Sequence, residues 1–173
     1  MTPSITYRID SLIQALNDIV LPAVEADKSL AREQGQLVVA HLHLMKRQLA
    51  QADAFDRMEL DAARSLGAQL LQQARDDATL AAASSSLQDA LTRSSTHQPD
   101  LQGAIRALNG AIEQHVRTVR QLAGRHSIDA MTAAVLAHGR EQSRRNRIWF
   151  GGNGFDAEQD SLPGIETLFA AGR

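Results

Sequence analysis

Apolar residues recur at three- and four-residue steps almost from one end of this chain to the other, and that period dictates helices. In the first stretch Ile5, Ile9, Leu12, Leu16 and Ile19 form a stripe, widened by Ile13 and Val20. Ser4 is placed to cap it, and Pro22 to kink or end it, since proline lacks an amide and clashes with the preceding turn. A second helix is predicted over about Lys28 to Ala52, with Leu30, Leu37 and Leu44 at heptad spacing. A third begins near Asp53 and carries Phe55, Met58, Ala62, Leu66 and Leu70. A fourth covers roughly Thr79 to Ser94.

"RSSTHQPD" reads as a linker, with Pro99 as the first residue of a fifth helix. That helix holds Leu101, Ile105, Leu108, Ile112, Val116, Val119 and Leu122, with Gly124 at its C-terminal cap. Ser127 is the expected cap of a sixth helix, which ends around Arg147. No strand is needed. The expected fold is all-α, an up-and-down bundle of five or six helices over residues 1–147, followed by a tail over 148–173. Asn17 and Asn109, and His41 and His138, sit in similar local sequences at nearly equal offsets. A helix-pair duplication, or coincidence in Ala/Leu-rich helices, would produce this.

The 173 residues fit one domain that buries roughly 70% of its unfolded surface. Aromatics make up only 3%, so the core must be Leu, Ile, Val, Met and Ala, which suits close-packed helices. A net charge of −2 excludes a bulk electrostatic nucleic-acid binder. The absence of cysteine excludes disulfides, thiol catalysis and zinc–thiolate sites. No apolar run has the length of a membrane span, and the N-terminus lacks the pattern of a signal peptide; the expected location is cytoplasmic.

Two constellations carry chemical potential. Gln34, His41 and Gln48 repeat every seven residues beside the Leu30, Leu37, Leu44 column, and His138 sits similarly on the sixth helix. One reading is a polar or metal site inside the bundle. The other is hydrogen-bonded polar residues that fix helix register or a dimer interface. His41 and His43 point to nearly opposite sides of a helix and cannot share a metal, and no Glu-x-x-His pair occurs, so no metal ligand is assigned. Arg140, Arg144 and Arg147 form a basic stripe at the end of the sixth helix. They read either as an anion clamp for a phosphate, CoA or nucleic-acid backbone, or as cations suited to a helix C-terminus and paired with carboxylates of the tail or of a neighbouring helix. No serine-nucleophile motif, phosphate-binding loop or Rossmann fingerprint occurs, and no catalytic residue is assigned.

The bundle runs into the tail through "RIWFGGNGF", Arg147 to Phe155. Trp149, Phe150, Phe155 and Phe169 lie within the tail, while only Tyr7 and Phe55 lie elsewhere. Each such ring can bury on the order of 150–250 Å². The tail is therefore expected to be ordered, its aromatics docked on the bundle or on a second subunit, with the glycines allowing a reversal. "FGGNGF" resembles the Gly-Gly-x-Gly-aromatic turn of the C-terminal helical domain of acyl-CoA dehydrogenases. In that family the turn lies at a subunit interface and approaches a neighbour's FAD. The resemblance covers six residues and implicates Gly151, Gly152 and Gly154. Ile148 stands where the family usually has Gln, and no counterpart of the family's catalytic glutamate is found. FAD or CoA is thus what the resemblance implies as a ligand. The residues themselves point to a non-catalytic interaction or accessory protein, homo-oligomeric or bound to a protein partner, with neither nucleic acid nor membrane.

Overall fold

A computed structural model of the chain describes residues 2–75, 77–151 and 156–172. All regular structure among them is helical. The α-helices are α1 (Ile5–Ala15), α2 (Leu21–Ala23), α3 (Ser29–Leu49), α4 (Ala52–Ala74), α5 (Ala81–Ser94), α6 (Leu101–Leu122) and α7 (Arg125–Trp149). They group into two compact units. Unit 1 is residues 1–52 and 145–173; unit 2 is residues 53–144.

Unit 1 is built on a helical hairpin. Ser4 caps α1 as expected, its Oγ accepting from the Tyr7 amide at 3.1 Å. Leu16–Val20 then form a π turn that runs into α2, in which Pro22 sits. A proline here would press on the carbonyl four residues back, and the wider π turn relieves that clash. The extra residue also rotates the next turn of helix, so Leu21 rather than Val20 returns to the packed side. The chain reverses after α2 and α3 runs back antiparallel. Two contacts set the register: Lys46 Nζ donates to Asp10 at 2.6 Å, and Gly35 faces Leu21 so closely that a Cβ there would lie 2.5 Å from the leucine side chain. Ile9, Ile13 and Leu44 are buried.

Unit 2 holds the larger core. Leu60, Leu66, Leu70, Leu80, Leu87, Leu108, Ile112, Val119 and Met131 pack with several alanines into one cluster. Leu80 and Leu87 are completely buried. Each such leucine contributes about 1.5–3 kcal/mol by leaving water. Gly67 admits Leu91 from α5, since a Cβ would sit 3.1 Å from its Cδ2. Helix ends depart from the sequence reading in small ways. Asp100, not Pro99, starts α6, accepting from the Gly103 amide at 2.8 Å. Carboxylate capping outweighs the proline preference for the first turn. The C-cap of α6 is Ala123 in an extended conformation, and α7 starts at Arg125, with the Gly124 carbonyl taking the first helical bond from Ile128. Ser127 therefore lies inside α7.

Candidate functional site

The C-terminal elbow of unit 1 gathers several of the residues singled out above. Ile148 and Trp149 are buried at the end of α7, while Phe150 stays half exposed. Trp149 meets Phe169 edge to face, with ring centroids 6.5 Å apart. The tail therefore packs within its own chain at this point. Side chains of α3 satisfy the carbonyls released where α7 ends: Gln48 Nε2 donates to Trp149 O at 2.9 Å, and Arg47 to Gly151 O at 3.1 Å.

Arg147 forms a two-pronged bond with Asp156, at 2.7 and 3.0 Å, and reaches Glu158 at 2.9 Å. The guanidinium and the Glu158 backbone amide hold the Asp156 carboxyl down at about 2. The two carboxylates push the Arg147 guanidinium still higher than usual. Its fork is thus occupied by the tail itself. Arg140 and Arg144 are exposed on the unit 2 portion of α7. The surface hollow at the elbow, beside Leu44, Arg47, Trp149 and Pro163, measures about 170 Å³. Sites for drug-sized ligands run to roughly 300–1,000 Å³. Of the glycines in the turn, Gly151 lies at the end of the described helix; Gly152 and Gly154 fall outside the described residues, as does Phe155.

The polar column of α3 does not act as one group. Gln48 is half buried and serves the elbow, Gln34 is exposed, and His41 is exposed with Nδ1 2.9 Å from Leu37 O. His138 is half buried on α7 in unit 2. Among the described residues no three His, Asp or Glu side chains are placed to share a metal ion.

A residue that sequence reasoning passed over is His115 of α6. It is 2% exposed, and its Nδ1 has no hydrogen-bond partner among the described residues. Burial pushes its pKa below 6.5, against a smaller opposing effect of a hydrogen bond with the Ala83 backbone. The signal was present: Leu108, Ile112, His115 and Val119 follow the four-three-four step of the buried face. A broader cleft of about 650 Å³ lies between the end of α4 and the start of α5 and includes Arg75, Asp77, Ser84 and Ser85. Ser84 Oγ has no hydrogen-bond partner among the described residues, so none of them activates it as a base.

The most uneven feature is the distribution of apolar surface. Among the described residues twelve large apolar side chains are exposed, and ten belong to unit 1. Unit 1 supplies only five of the twenty buried apolar residues. The exposed set includes Ile5, Leu12, Ile19, Val20 and Leu30, then Val38, Met45 and Leu49. Meanwhile the opposite side of α3 carries Arg32, Gln36, His43 and Arg47, a normal solvated face. No helix among the described residues is long and apolar enough to cross a membrane. Set beside known proteins, the chain matches no family model, no curated protein and no solved structure. The class it can be given is therefore architectural: an all-α protein with an apolar face on its N-terminal hairpin.

Proposed function

We propose that this chain is a non-catalytic interaction protein, and that it works by covering the apolar side of its unit 1 hairpin with a partner. The observation that carries the reading is the imbalance just described: unit 1 buries few large apolar side chains and leaves ten in water. A contiguous exposed apolar patch marks an association surface. The polar groups support the same reading. Arg147 is engaged by the tail, and Ser84 Oγ has no hydrogen bond to a base among the described residues, so neither side chain is set up for acyl or phosphoryl chemistry.

The test is association. Purified protein at micromolar concentration should sediment as an assembly, or tagged protein should recover one partner in stoichiometric amount. Either association should be lost when a glutamate replaces Met45. A strictly monomeric profile together with no recovered partner would refute the reading.

A further inference from the structure

We propose that the occupant of the hairpin face is a second copy of this chain, docked by a half-turn to make a four-helix arrangement. This rests on the interaction reading above and names its partner.

The hairpin register defines the face. Asp10 lies opposite Lys46 and Leu21 opposite Gly35, so antiparallel positions pair at a constant sum. Ile5 then falls near the level of Leu49, Leu12 near Met45, and Val20, carried round by the π turn, near Val38. At about 100° per residue, the exposed column of α1 stands some 60–70° from its packed column of Ile9 and Ile13. The exposed column of α3 stands at a similar angle from Gly35, Val39, Leu42 and Lys46, in the same rotational sense. Because the two helices run in opposite directions, equal rotations bring both columns out on one side of the hairpin. The result is a ladder of three apolar rungs, whose side chains step by seven and eight residues along α1 and by four and seven along α3, that is by about 6–12 Å.

Three properties of the ladder favour a second copy. First, the steps between rung side chains are seven and eight residues on α1 and seven and four on α3, close to the heptad and its four-residue step by which one helix seam packs into another. Second, the ladder has Leu12/Met45 in the middle and a rung of branched or long aliphatics on either side. A half-turn about the central rung sets apolar on apolar throughout, as an isologous interface requires. Third, the area is right. Six side chains 41–59% exposed put roughly 600 Å² within reach of a partner. Ile19, Leu30, Gln34 and His41 widen this towards the about 800 Å² that each subunit contributes to a standard interface. None of the six rung side chains is charged. Gln34 and His41 border the face and supply the polar positions that hold such helices in register.

The experiment is sedimentation equilibrium of the full chain alone, wild type against Leu12→Glu, Met45→Glu and the double variant, with Leu136→Glu as control. Leu136 is equally exposed but lies in unit 2. The wild type should weigh twice the 18.8 kDa chain. Each face variant should raise the dissociation constant roughly 30-fold or more, and the double variant should be monomeric. The control should dimerise as the wild type does. Both face positions are already wet in the single chain, so circular dichroism should stay unchanged; a loss of dimer with intact helicity supports the proposal. A monomeric wild type overturns it, as does a dimer that both substitutions leave intact. A monomeric wild type that still recovers one stoichiometric partner, lost on Met45→Glu, overturns the second copy as occupant while the interaction reading stands. Neither dimer nor partner removes both.

Discussion

His115 is buried in the helical core, and one of its ring nitrogens has no partner among the described residues. Its folded pKa lies below the 6.5 of an exposed imidazole because burial penalises the cation. The unfolded chain therefore binds a proton here more readily than the folded one, and stability falls as pH drops below 6.5. We expect the denaturant midpoint to fall between pH 7.5 and pH 5, and His115→Gln to flatten that dependence (chemical unfolding at the two pH values measures both). An equal fall in wild type and variant would show that other groups dominate. Asp156 is the opposite case. Its pKa is held down by Arg147, so the tether between α7 and the tail persists above the ordinary carboxylate range and weakens only as pH falls towards about 2. Of the residues picked from sequence, Arg147 is held by carboxylates of the tail, one of the two readings its position offered. Gln48 instead donates to the Trp149 carbonyl, 101 residues further on, which no spacing rule could name.

At the scale of elements the sequence was most legible. The stripes of apolar residues marked every long helix, and the expected boundaries fall within a few residues of the observed ones. The reason is that helix formation and capping are local: Ser4 needs only Tyr7, and Asp100 only Gly103. The competition between neighbouring signals was less legible. At the start of α6, Pro99 and Asp100 both announce a helix, and the carboxylate, which satisfies an amide, prevails. After α1 the π turn shifts the phase of the stripe, which a fixed 3.6-residue period does not foresee. Helix α5 packs closely along α6, and Leu87 is completely buried in the core cluster they share. Leu87→Ala should cost about 2–5 kcal/mol, by lost transfer energy plus the cavity left behind. Thermal or chemical unfolding of the variant will read this out, and a loss under about 1 kcal/mol would mean the core closes over the gap.

For the whole molecule the deciding quantity is how apolar area is shared. Among the described residues the main cluster draws on one stretch of chain, from Leu60 to Val135. Residues 53–144 expressed alone should therefore stay helical and unfold cooperatively, as seen by circular dichroism. A fragment that melts gradually would show that its core depends on unit 1. The hairpin of unit 1 has no comparable core of its own among the described residues, and it leaves most of its large apolar side chains exposed.

The amino-acid sequence alone determined that this is a helical protein, where its long helices lie, and that its last helix leads into an aromatic segment worth ordering. Those properties follow from the period of apolar residues, capping chemistry and ring size, all read over a few neighbours. Only the tertiary structure decided which apolar columns are buried, that Arg147 is bound by the tail, and that His115 is the buried histidine. Each depends on helices far apart in sequence meeting in one register, and an apolar column looks the same in sequence whether it finds a neighbour or is left facing water.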